Sequence, residues 1–287
     1  MASTSPISIR ELLSGNVQLA SPPEVFLKLN QAINDPTKTL ADIAHLIQHD
    51  PGLSARLLKI VNSPFYGFPT RVTSISHAVG IIGFRELRDL VIATLVIDKF
   101  ASLPNGLVPM RQFWMSSVRC ALTARVLATK SAHHKRLDNV FLGGLLHEIG
   151  RLVIYQRLPE LARAALLQSR VENITEHAAQ RRVIGVDQYE VGAELARRWR
   201  LPDVVVTPMD YHDAPLSADT FPAETAIVCI ANGLSHIDVN NPNELSSFLE
   251  TSADIWGAAS IDPNGLQDIL AEVELGLLDV FRLFYQS

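Results

Sequence analysis

Apolar residues recur at intervals of three and four along nearly the whole chain, the period of helices that bury one face. Val25, Leu27, Leu29 and Ile33 form one such set; Ile43, Leu46 and Ile47 a second; Leu53, Leu57, Leu58 and Val61 a third. Polar punctuation separates them. Ser21-Pro22-Pro23-Glu24 offers an N-cap serine, a first-turn proline and a glutamate three residues on, and Asp35-Pro36 closes that helix. Thr39 to Asp42 repeats the capping arrangement, and Asp50-Pro51 opens a third helix that Asn62-Ser63-Pro64 ends. A short helix is expected over 76–82, broken by Gly83, then a longer one over 85–100. Further helices are expected over 110–130, 138–156, 159–171, 175–182, 187–199, 202–212, 221–236, 243–256 and 263–286. No stretch alternates as a strand would, and no hairpin signal or solenoid repeat is present. The pattern predicts an all-α protein.

Two prolines and a glycine lie in Ser102–Pro109, which predicts a division there. The expected organisation is a tail over 1–14, an N-terminal helical bundle over 15–105, and a second helical subdomain with the C-terminal helices over 106–287. The length of 287 residues suits two packed units or one large helical one, and a hydrophobic content of 47% calls for helices buried on more than one side. Trp114, Trp199 and Trp256 sit on apolar stripes and are expected in the core. Phe65-Tyr66-Gly67-Phe68-Pro69 reads as an aromatic loop.

A net charge of −5 disfavours bulk binding to nucleic acid, which leaves a basic footprint. The densest basic stretch, Lys130 with His133, His134, Lys135 and Arg136, reads as a solvated loop, or as a contact for phosphate or an acidic partner. The regions 39–62 and 74–95 have helix-turn-helix form. There Arg71, Arg85, Arg88 and Lys99 are offset by Glu86, Asp89 and Asp98, so packing explains them. No apolar run approaches the roughly 20 residues that span a bilayer, and the first residues lack a secretory pattern. Cys120 and Cys229 stand apart in apolar surroundings, as reduced thiols do. These features predict a cytoplasmic protein that does not engage a membrane.

Phe141 to Leu146 is an apolar run delivering His147 and Glu148, followed by Ile149-Gly150-Arg151. An adjacent His and carboxylate at the end of a buried helix can hold a metal ion, provided ligands arrive from elsewhere. The zincin arrangement is excluded, because position 151 is Arg and not His. Phosphate-binding glycine loops, Cys-x-x-Cys pairs and a nucleophile elbow are absent. His45 and His49 share a helix face but read more simply as solvated or capping groups.

Several blocks in order carry a resemblance. They are Asp50-Pro51-Gly52-Leu53 through Asn62-Ser63; Val72 through Gly83; Phe113-Trp114; Gly144-Leu145-Leu146-His147-Glu148-Ile149-Gly150-Arg151; and Glu190 to Leu195 with Trp199-Arg200-Leu201-Pro202 and Tyr211-His212-Asp213-Ala214-Pro215. Over roughly residues 15 to 235 the chain resembles the HDOD family, regulatory relatives of the HD-type metal phosphohydrolases. The resemblance implies that the second subdomain is HD-like and that ancestral ligand positions can be located. The first His of an HD enzyme would fall near Ser116. The central Asp is replaced by Glu148 beside His147, a position often His is Gln188, and the late Asp falls near Asn232. Only His147, Glu148 and His212 keep ligand chemistry, so Ser116, His147, Glu148 and Asn232 are expected to form a vestigial site, with Gln188 and His212 nearby. No bound metal, other cofactor or catalytic residue is expected.

The resemblance further implies a bacterial, non-enzymatic regulatory protein in signal transduction, acting through contacts with protein partners. Such domains often accompany receiver or cyclic-dinucleotide domains, and this chain is too uniformly helical to include one. Grooves between the subdomains or an exposed Phe65–Phe68 loop would supply the contact surface. The alternatives are a metal-dependent phosphohydrolase or cyclic-nucleotide phosphodiesterase with altered ligands, and a DNA-binding regulator.

Overall fold

The computed structural model describes residues 8–14, 22, 24–33, 35, 37–101, 106–137, 139–238 and 241–285. Among these residues there are seventeen α-helices and no strand. The N-terminal half holds α1 (Ile9–Ser14), α2 (Glu24–Ile33), α3 (Leu40–Gln48), α4 (Pro51–Val61), α5 (Ile75–Ile82) and α6 (Phe84–Ala101). There follow α7 (Met110–Lys130), α8 (Val140–Leu146), α9 (Ile149–Arg157), α10 (Pro159–Glu172), α11 (Glu176–Val183), α12 (Gln188–Arg198) and α13 (Asp203–Tyr211). The chain continues through α14 (Pro222–Leu234), α15 (Pro242–Thr251), α16 (Ala253–Ala259) and α17 (Leu266–Phe284).

Capping side chains set the starts. Thr39 Oγ1 accepts from the Asp42 N–H at 3.2 Å while the Asp42 carboxylate accepts from the Thr39 N–H at 2.8 Å. Asp50 caps α4 through the Leu53 N–H, and Ser74 caps α5 through that of His77. The expected cap at Ser21, with Pro23, and the expected stop at Pro36 lie outside the described residues, as do residues 102–105 of the expected division.

Two helices expected to be continuous are broken. The 138–156 segment divides at His147–Glu148 into α8 and α9. The Gly144 carbonyl, which a continuing helix would bond to the Glu148 N–H, is taken at 2.7 Å by the His147 imidazole. The break lets α8 pack on α7 while α9 packs on α12. The 243–256 segment divides at Ser252, whose hydroxyl donates to the Phe248 carbonyl and accepts from Trp256 Nε1 at 2.9 Å.

Buried apolar residues from both halves form a continuous core, with Trp114, Trp199 and Trp256 inside it. The last helix joins the halves: α17 buries Leu266, Ile269, Val273, Leu277, Val280, Phe281 and Phe284 and packs on α4 and α6 as well as α7. The Phe65–Phe68 segment is not the exposed loop expected from sequence. Phe65, Tyr66 and Phe68 are half-buried against the core. The Arg125 guanidinium lies 4.9 Å from the Phe65 ring and 4.2 Å from that of Tyr66, and Tyr66 donates to Glu86 at 2.7 Å. A cation and a carboxylate thus hold the aromatic rings down.

Candidate functional site

Every residue of α8 is buried, so the helix works as a rigid apolar arm that sets His147 inside the molecule. It comes close to α7 because Gly144 faces the backbone of Ala121 and Cys120. Gly150, just past the break, meets α12 backbone to backbone. A Cβ there would fall on Gln188 O and Gly192 N, closer than non-bonded atoms can lie. Gly150 is therefore a requirement of packing, and Gly144 admits the close approach of α7.

His147 is buried, and its Nδ1 lies 2.7 Å from the Gly144 carbonyl, so Nδ1 carries the proton. Its Nε2 is 3.1 Å from Asn232 Oδ1 on α14. Burial lowers the pKa of His147 against the opposing charge of Glu148, which favours the neutral ring. With Nδ1 protonated, Nε2 of the neutral ring is an acceptor, and Asn232 satisfies it when its amide is placed with the NH₂ group, in place of Oδ1, toward the ring. Both ring nitrogens are then occupied.

Glu148 faces the other way. Gln188 Nε2 approaches its carboxylate at 3.4 Å, as does the Arg151 guanidinium. Arg151 also reaches Glu176 at 2.7 Å and the Tyr155 hydroxyl at 2.8 Å. Burial opposes ionisation of Glu148, but the positive groups facing it, Arg151 among them, outweigh this and hold its pKa low. Gln188 is locked in turn: its backbone N–H donates to Gln180 Oε1 at 2.9 Å.

His212 ends α13 in the core. Its Nδ1 lies 3.2 Å from the Pro208 carbonyl and 3.3 Å from that of Met209, and its Nε2 is buried without a hydrogen-bond partner among the described residues. The His147 ring meets it edge-on at 4.8 Å and Tyr189 at 4.4 Å. Burial and the neighbouring His147 lower its pKa to about 3. Outward from there, Tyr189 hydrogen-bonds His177 at 3.3 Å, and His177 Nε2 reaches the Asp213 carboxylate at 3.2 Å.

The structure thus joins His147 to Asn232, sets His147 edge-on to His212, and ties Glu148 to Gln188. Ser116 lies half-buried on α7 and takes part in none of these hydrogen bonds. The sequence reading missed Arg151, Tyr189 and His177. Arg151 was legible as a cation one helical turn beyond Glu148, whereas Tyr189 and His177 carry no local signal and meet only through tertiary packing.

Among the described residues no three His, Cys, Asp or Glu side chains converge so as to hold a metal ion. A hydrolytic ion needs several such ligands and an open position for water. The groups present do not fit that role, because the nitrogens of His147 are engaged and Glu148 is bound by an arginine and an amide.

Residues 19–215 match the HDOD domain family. An uncharacterized protein of Treponema pallidum is 29% identical over 224 residues, covering 77% of this chain and 43% of that protein. The chain therefore spans less than half the length of that curated relative. A crystal structure of an HDOD domain protein of unknown function from Geobacter sulfurreducens superposes with a TM-score of 0.75 at 24% identity, covering 97% of each chain. One from Shewanella amazonensis, provisionally named a phosphohydrolase, superposes with a TM-score of 0.77 at 23% identity, covering 98% of this chain and 99% of that one. At these identities the two structures share its fold.

Proposed function

The chain belongs to the HDOD family, and from that premise we propose that it is a non-enzymatic regulatory protein in bacterial signal transduction, acting in the cytoplasm through contacts with protein partners. One observation carries the reading: both nitrogens of His147, the central histidine of the polar cluster, are engaged inside the fold. Nδ1 closes the end of α8 on Gly144, and Nε2 meets the amide of Asn232. Where the resemblance places a carboxylate ligand, this chain has a neutral amide, which does little to offset the charge of a divalent cation. Ser116 and Asn232, in this reading, are what replaced two ligands, and the remaining His147, Glu148, Gln188 and His212 hold helices α8, α9, α12, α13 and α14 together.

The test is metal analysis of the purified protein, together with hydrolysis assays on phosphomonoesters and cyclic nucleotides with Mn²⁺, Fe²⁺, Mg²⁺ or Zn²⁺ added. The expected result is no stoichiometric metal and no turnover above that of His147→Ala. Metal-dependent hydrolysis lost in that variant would overturn the reading. The competing hydrolase reading draws on one feature, the unpartnered Nε2 of His212 beside His147 and Glu148. A DNA-binding role finds less support. In the 74–95 region Arg88 pairs with Asp89 at 2.8 Å, and Arg56 of α4 pairs with Asp98 of α6 at 2.7 Å.

A further inference from the structure

The end of α4 and the segment beyond it form an open groove of about 800 Å³. One wall is a single face of the helix and its cap, carrying Ala55, Leu58, Lys59 and Asn62. The other is the irregular segment Phe68–Thr73. Asn62 ties the two walls together. Its side-chain amide accepts from the Val72 N–H and donates to the Val72 carbonyl, both at 2.8 Å. Val72 is buried, whereas Arg71 and Thr73 on either side of it are exposed. The groove is thus pinned in shape by the fold.

Its charge is one-sided. Lys59 and Arg71 line it, and no carboxylate does among the described residues. Neither cation makes an ion pair with any described residue. Neighbouring arginines do find acids: Arg56 pairs with Asp98, Arg88 with Asp89 and Arg125 with Glu86. The bias is written in the sequence, where no Asp or Glu occurs between Asp50 and Glu86 in a chain of net charge −5. Two cations on one groove repel each other, and an acidic occupant relieves that repulsion. The rest of the lining is mostly apolar, with Leu58, Phe68 and Pro69 prominent. An extended protein segment that alternates carboxylates with an apolar side chain matches both features. Nucleic acid matches less well. Tyr66 stacks on the Phe68 ring at 6.0 Å and takes one of the faces a base would use, and the net charge repels a long polyanion.

We propose that this groove binds an extended acidic segment of a protein partner, with Lys59 and Arg71 pairing its carboxylates and Leu58, Phe68 and Pro69 seating an apolar side chain. The proposal rests on the reading of the chain as a protein that acts through partners, and it adds the site and the partner's chemistry.

The experiment is selection of a phage-displayed library of random decapeptides on the full chain, followed by fluorescence anisotropy of the selected peptides. They are measured on the wild type and on the double variant Lys59→Gln with Arg71→Gln. Both side chains are exposed, and circular dichroism verifies that the variant is folded. The selected peptides are expected to be rich in Asp and Glu around an apolar residue. Their affinity is expected to fall on the order of 10-fold in the double variant, and to weaken as salt is raised. A control with the same charge change elsewhere, Lys135→Gln with Arg136→Gln, is expected to bind as the wild type does. Selected peptides without acidic enrichment overturn the proposal. So does equal binding to the double variant, an equal loss in the control, or an oligothymidine that binds the groove more tightly than the peptides. Metal-dependent turnover lost in His147→Ala would instead overturn the non-enzymatic reading and leave the peptide result standing, so the two fail separately.

Discussion

Acidification should weaken this fold through His212, by an amount that the geometry sets. The imidazole is buried, its Nε2 has no partner among the described residues, and its pKa is lowered to about 3, whereas an unfolded histidine titrates at about 6.5. Between those values the unfolded chain binds one more proton than the folded chain, so stability rises with pH and is lost as pH falls below the unfolded value. Taking a single site, the loss between about pH 7 and about pH 5 is roughly 2 kcal/mol. Other groups titrate in the same window, so the measurement must be a difference. His212→Phe keeps a ring against His147 and Tyr189, removes the proton equilibrium, and gives up the hydrogen bonds to Pro208 and Met209. At neutral pH the variant should be less stable, by about 1 kcal/mol. Urea unfolding across the pH range should show the wild-type advantage shrinking, and then reversing, by about 2 kcal/mol in all. An advantage that stays constant with pH would refute the reasoning, as would a His212 NMR titration near the unfolded value.

The same cluster supports other expectations. Gly150→Ala should destabilise by roughly 2 kcal/mol or more, because the new methyl meets the α12 backbone and not a movable side chain; thermal unfolding measures it, and an unchanged midpoint would mean that the helices separate freely. His147→Ala should lower stability by roughly 1–3 kcal/mol by leaving the Gly144 carbonyl and the Asn232 amide unpaired; urea unfolding that matches the wild type would contradict the capping role. Asn232→Asp should raise the pKa of His147 by setting a negative charge against Nε2; an NMR titration that does not move would show that the contact is absent in solution.

The helical plan was legible because it rests on local signals. Thr39, Asp50 and Ser74 cap the helices they precede, and the stripe from Leu266 to Phe284 faces the core. Breaks within helices were not legible, because they arise when a side chain takes a backbone acceptor. Nothing in the order of residues says that His147 will bind the Gly144 carbonyl or that Ser252 will bind that of Phe248. Phe65 and Tyr66 illustrate the same limit: the rings that read as a loop surface are held down by Arg125, which lies some sixty residues later in the sequence. Within the cluster, His147, Glu148 and Asn232 were identifiable from their blocks. Ser116 was placed by the same logic, yet it joins none of the hydrogen bonds of His147 or Glu148. Alignment along a helix fixes a residue's height but not which neighbour its side chain meets.

The position of α17 also sets a timetable for synthesis. Arg119 of α7 pairs with Glu274 of α17 across 155 residues of sequence, and α17 covers parts of α4 and α6 that are made earlier still. At about 5–20 residues per second, a ribosome takes on the order of 10–30 s to travel from one partner of that ion pair to the other. Throughout that interval the nascent N-terminal helices hold an apolar seat with nothing in it. Chaperone occupancy on the ribosome should therefore persist until α17 emerges, and a stop codon placed before Leu266 should yield a chain that chaperones retain.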